Sequence, residues 1–203
     1  MDLQTVEKAL VWSYDKAING VPGLDSAIEL AEDYLKEDGS LNSQVDSLIR
    51  WQNAKCATSG FVTNLGGLLT LPIAIPANMG STLYVQLRMI AAIAYMGGYD
   101  LKDDKVKTMA FVCLCGNSAA KVTKNFGIRV GTALTEQFIK SISASTIKQI
   151  NKAVGMKLVT KFGEKGIISL GKGVPIVGGV IGSAIDAFAC NTIGNVAKNI
   201  FIK

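Results

Sequence analysis

Two charged residues stand alone in apolar surroundings: Arg88 within STLYVQLRMIAAIAYM and Asp186 within VIGSAIDAFAC. A buried ion costs several kcal/mol of desolvation unless it finds a partner. The economical expectation is that Arg88 and Asp186 pair with each other, or with Glu164 and Lys172 beside a glycine-rich turn. Such a cluster is either an internal clamp or, if a ligand site exists, its floor. Gly166-Ile-Ile-Ser-Leu-Gly171-Lys172-Gly173 approaches the phosphate-cradling GxxxxGK[ST] loop. It fails where Gly173 replaces the magnesium-binding hydroxyl, and Pro175 stands where a helix should begin. Four cysteines, Cys56, Cys113, Cys115 and Cys190, lie scattered in apolar contexts. None has CxxC redox or zinc spacing, so they are expected to be reduced, small apolar residues. The 203 residues include no histidine. That removes the commonest general base and metal ligand and every Ser–His or Cys–His pair. The expectation is a non-enzymatic protein with no metal and no cofactor.

A second set of residues carries charge rather than chemistry. The net charge is +5, but residues 1–54 hold ten acids and four bases, while residues 55–203 hold six acids and seventeen bases. Between Lys121 and Lys172 there are ten bases against Glu136 and Glu164. Lys148 and Lys152 lead into Lys157, Lys161 and Lys165 at i, i+4, i+8, as on one helical face. Nucleic-acid surfaces usually interleave aromatics or arginine, and here only Phe126, Phe138, Phe162 and Arg129 are available. An anionic membrane surface matches better than nucleic acid, and a solvated basic face is the plain alternative. Gly178-Gly-Val-Ile-Gly182 is a GxxxG in an apolar helix, where small residues let two backbones approach closely. It is expected to pack another helix of the chain, or else a second copy or a membrane protein.

The elements that must position these groups read as helices. Residues 3–18 place Leu3, Val6, Leu10, Tyr14, Ala17 and Ile18 on one face, and Asn19-Gly20-Val21-Pro22-Gly23 ends the helix. A second amphipathic helix follows from Leu24 to Leu35, and a third runs from about Asn42 into the 50s. Cys56 to Leu87 is 32 residues without a charge, long enough to span a bilayer. Its glycines, with Pro72 and Pro76, predict two short helices broken near 71–76 rather than a straight span. Residues 81–96 are apolar all round, as in a central helix, closed by Gly97-Gly98. Asp103 is placed to cap the next helix. Residues 118–141 and 145–162 read as further helices, and an apolar helix runs to Ile202 after Pro175. The chain is thus expected to be all-α, a compact multi-helix domain with an apolar, glycine-rich broken-helix core. No period-2 strand, linker or repeat is present.

Gly60-Phe-Val-Thr-Asn-Leu-Gly-Gly-Leu-Leu-Thr-Leu-Pro72-Ile-Ala-Ile-Pro76, followed by Leu-Tyr-Val-Gln86-Leu-Arg88-Met-Ile through Gly-Gly-Tyr-Asp100, resembles the bacterial EcsC protein family. So do Leu158-Val-Thr-Lys-Phe-Gly-Glu-Lys-Gly166 and Pro175-Ile-Val-Gly-Gly-Val-Ile-Gly182 with Asp186. The resemblance covers roughly residues 45–203. It divides the chain into acidic amphipathic helices at 1–41 and an EcsC-like helical domain at 42–203. The family is distantly similar to the senescence domain of lipid-droplet proteins, implicated in lipid binding and transfer. The resemblance carries no catalytic residue. It does mark Gln86, Arg88, Glu164, Lys172 and Asp186 as parts of its motifs.

The combined expectation is a cytoplasmic protein, peripheral at the inner face of the membrane, that binds or accommodates lipid. The N-terminus shows no signal-peptide pattern. The rival expectation is a membrane-disrupting effector of a bacterial toxin or defence system, releasing residues 56–87 on activation. A scaffold without a lipid role is a third.

Overall fold

A computed structural model describes residues 2–57, 72, 75–171 and 180–203, with side chains except at 57, 77, 78, 164–171 and 180–188. The chain is all-α. Among the described residues the α-helices are α1 (Leu3–Asn19), α2 (Ala27–Leu35), α3 (Leu41–Ala57), α4 (Ala77–Met96) and α5 (Asp104–Cys113). They continue as α6 (Ala119–Thr123), α7 (Glu136–Ser141), α8 (Ala144–Gly171) and α9 (Val180–Phe201).

Local chemistry sets most of the helix starts. The Asp2 carboxylate accepts from the Thr5 amide at α1. Ser26 and Glu29 form a reciprocal capping box at α2. Asp103 accepts from the Lys105 amide, as its position before α5 predicts. Of the two short helices predicted around the prolines, the first lies outside the described residues. The Ile75 amide returns to the Pro72 carbonyl in a turn, and α4 begins just after Pro76.

α4 is the axis of the fold. From Met79 to Met96 only Thr82 and Tyr95 are more than slightly exposed, because α1, α2, α3, α5 and α9 all pack on it. The core runs from Val6 in α1 to Ile202 without a break, so the acidic N-terminal helices share it. Arg88 donates to the Asp25 carbonyl and Tyr95 to Glu32. From Asp25, just ahead of α2, to Glu32 and from Arg88 to Tyr95 the chain advances seven residues in the same direction, so α2 and α4 run parallel. α3 and α9 zip together antiparallel. Lys198 meets Asp46 at 2.7 Å, Gly194 lies against Ile49, and Cys190 is disulfide-bonded to Cys56.

Three expectations change. Cys56 and Cys190 are not free thiols, because antiparallel α3 and α9 bring together residues 134 positions apart. The predicted helix 118–141 is broken into α6, a 3-10 turn at Lys124–Phe126, a loop and the six-residue α7. Gly127 and Gly131 take φ of +70° and +130°, a backbone that a helix does not allow. In the opposite direction, α8 runs through Gly163 to Gly171 as 28 residues. Gly166–Gly171 is therefore helical and not a phosphate loop.

Candidate functional site: a buried polar face and a basic surface

Arg88 is 3% exposed. One of its terminal nitrogens, Nη1, donates to the Asp25 backbone carbonyl at 3.0 Å, just ahead of α2. No carboxylate pairs with it among the described residues, and its Nε–H has no acceptor. One turn earlier on α4, the guanidinium carbon lies 5.8 Å from the centre of the Tyr84 ring. Tyr84 is wholly buried, and its hydroxyl comes near the Arg88 side chain without reaching hydrogen-bond geometry; it meets no other partner among the described residues. Burial pushes the Tyr84 phenol up, and the charge of Arg88 works against that shift. Ser81, another turn back on this face, is buried with an unpartnered hydroxyl.

From α3, Gln52 enters the same interior at 0% exposure, with neither amide atom bonded. The Tyr34 phenol of α2 comes near the Gln52 amide without reaching hydrogen-bond geometry, and it feels Arg88 at longer range. Its pKa is raised, first by burial and then by Glu37. Native interiors leave few buried polar atoms unmet. Ser81, Tyr84 and Arg88 on α4 and Gln52 on α3 are four side chains with such atoms.

Of the predicted cluster only two side chains are described. Arg88 and Gln86 are buried on α4. Asp186 and Glu164 belong to α9 and α8 with side chains outside the described residues, and Lys172 lies outside them altogether. The partner that the described residues give Arg88 is the Asp25 backbone carbonyl. Gly178 is likewise outside, and Gly182 lies in α9 with its packing outside the description. Close helix approach occurs elsewhere: a Cβ on Gly194 would sit 3.0 Å from Ile49.

Gln52, Tyr84 and Ser81 went unread in the sequence. Their signal was faint but present. Ser81 and Tyr84 share the helical face of Arg88, and Gln52 occupies an apolar register with Val45, Leu48 and Cys56.

The basic residues form two surfaces. Lys148, Lys152 and Lys157 are exposed and Lys161 half-buried, while the Lys165 side chain is outside the description. At about 100° per residue, Lys157 sits roughly 140° around α8 from Lys152, so the five lysines cannot share one stripe. Lys148 lines a small cleft of about 280 Å³ with Asp104, Lys107, Phe111 and Ile147. Lys157 and Lys161 instead lie near Cys115 at the end of α5. Burial pushes the Cys115 thiol up to about 11, although both lysines work against it. α6 packs beside α8 and brings Lys121 and Lys124. An open groove of about 750 Å³ lies beyond, lined by Lys124, Ile128, Arg129 and Val130. Lys121, Lys124, Arg129 and Lys157 have no ion-pair partner among the described residues. Glu136 pairs with Lys140, and Glu164, three residues past Lys161 on α8, has its side chain outside the described residues.

No group of metal-ligating side chains is found among the described residues. No described helix is long and apolar enough to cross a membrane. The model of the EcsC protein family matches residues 14–203. Neither a curated protein nor a solved structure matches the chain.

Proposed function

The chain belongs to the EcsC protein family, and we propose that it is a non-catalytic protein that rests peripherally on anionic membrane and accommodates lipid. The carrying observation is the cationic surface at the meeting of α6, α8 and the end of α5. Lys121, Lys124, Arg129 and Lys157 are exposed there, with no ion pair to a carboxylate among the described residues. The adjoining groove adds Ile128 and Val130 to Lys124 and Arg129, the mixture of apolar contact and positive charge that a lipid interface rewards. Met156, 54% exposed on α8, adds apolar surface on another flank. The inner face of the cytoplasmic membrane is the location that fits this chemistry.

Each lysine near an anionic bilayer contributes about 1 kcal/mol. Replacing Lys121, Lys124 and Lys157 with glutamine should therefore weaken binding to phosphatidylglycerol vesicles by roughly 100-fold. Binding should also fall as salt shortens the Debye length. No sedimentation of the parent with such vesicles at low salt would end this reading. The insertion alternative requires Met79, Leu83, Val85 and Leu87 to leave a core in which each is almost wholly buried. Salt-resistant binding with dye release from vesicles would favour it.

A further inference from the structure

We propose that the Arg88 face of α4 is a buried oxyanion site, built to take a phosphate or carboxylate group among helices α2, α3 and α4. Ser81, Tyr84 and Arg88 follow i, i+3, i+7, so one face of the helix presents two hydroxyls and a guanidinium. All three are at most 3% exposed. Among the described residues the Ser81 and Tyr84 hydroxyls, the Arg88 Nε–H and both ends of the buried Gln52 amide meet no partner within hydrogen-bond geometry, the Tyr84 hydroxyl coming no closer than near contact with the Arg88 side chain.

Water could satisfy a hydroxyl or an amide, but it does not compensate a buried cation. The Asp25 carboxylate is no substitute. It makes no ion pair with Arg88 among the described residues and acts on Tyr84 only at longer range. Nη1 is already committed to the Asp25 carbonyl. The side of the guanidinium carrying Nε–H is left to meet a two-oxygen group, the geometry arginine matches best. The hydroxyls and the amide can each donate or accept, and the guanidinium among them, which only donates and carries the charge, selects an anion over a cation.

The shared chemistry is an anionic oxygen group, carried either by a free metabolite or by a lipid. Calorimetric titration of the purified full chain with inorganic phosphate, octanoate and short-chain dihexanoyl phosphatidylglycerol separates these sources. Binding by phosphate identifies a free anion. Binding by octanoate alone identifies a carboxylate, and by the phospholipid alone a lipid head group.

Tyr84→Phe removes one charge-assisted hydrogen bond and should weaken the productive probe at least about tenfold. Because the hydroxyl makes no well-formed hydrogen bond among the described residues, the same variant should melt no lower than the parent without ligand. Arg88→Gln should abolish binding. If that variant does not fold, Gln52→Leu supplies a second weakened site. The surface substitutions at Lys121, Lys124 and Lys157 should leave the affinity unchanged, which keeps this site separate from the membrane-binding reading. The proposal is overturned if none of the three probes binds. It is equally overturned if Tyr84→Phe and Gln52→Leu bind as the parent does, or if Tyr84→Phe melts lower with its affinity intact.

Discussion

Gly97→Ala should destabilise the protein, and the reason is steric rather than conformational. Gly97 ends α4 at φ −76°, an angle any residue adopts, and its amide bonds back to the Ile93 carbonyl. Its neighbour Gly98 takes the left-handed turn at φ +84°. What excludes a side chain at 97 is the end of α9. A Cβ there would overlap the Phe201 carbonyl oxygen and lie 3.2 Å from both the Phe201 carbonyl carbon and Tyr99 Cδ2. That helix end cannot easily retreat. The Phe201 ring packs edge-on against Tyr99 at 5.2 Å, and the Ile200 carbonyl accepts the Leu134 amide at 2.9 Å. Overpacking of this kind typically costs about 1–3 kcal/mol, offset by up to about 1 kcal/mol of lost unfolded-state entropy. For a chain of this size the net should lower Tm by roughly 2–8 °C. Thermal unfolding followed by circular dichroism reads this directly. Ending the chain after Ile200 removes the obstacle. Stability will fall, but Gly97→Ala made in that background should then be neutral or stabilising. A full-length Gly97→Ala protein that melts at or above the parent would refute the argument.

Other expectations follow from the same structure. Under denaturing, non-reducing conditions a thiol assay should find two free cysteines, Cys113 and Cys115, and four after reduction; four before reduction would remove the Cys56–Cys190 bond. Replacing that pair with alanine should lower stability by roughly 2–5 kcal/mol in urea unfolding, since the bond closes a long loop. With its thiol near 11, Cys115 in the folded protein should react slowly with iodoacetamide at pH 8 and accelerate steeply above pH 10. Changing Lys157 and Lys161 to glutamine should slow that reaction further, because both favour the thiolate. The Glu29 carboxylate is held below its usual range by the Ser26 amide and hydroxyl. Its capping contribution is therefore present above the ordinary carboxylate pKa and lost as pH falls through the lowered one. Glu29→Gln should flatten the acid limb of the stability profile, and an unchanged limb would show that the box contributes nothing measurable.

Much of the architecture is written locally. The 3.6-residue apolar period marks α1 and α3, the all-round apolar run marks α4 as the axis, and Asp103 announces α5. These features need only neighbours within one or two turns, which a sequence displays. The family, too, is legible in the runs around Gly60–Pro76 and Gln86–Arg88. The failures share a cause. The predicted helix 118–141 overlooked Gly127 and Gly131, whose positive φ is demanded by how the loop returns Leu134 to Ile200. The lysine ladder spaced correctly along α8 but wound onto two flanks, because packing exposes Lys148 on one side and Lys157 on another. Arg88 meets the Asp25 carbonyl just ahead of α2, and Gln52 enters the core from α3, placements that neither stretch displays by itself. Cys56 and Cys190 met because two helices far apart in sequence run antiparallel. Helix formation is a property of short segments. Which side chains meet inside the protein depends on the angle, direction and register of whole helices, set by core packing and nowhere written in a single stretch of chain.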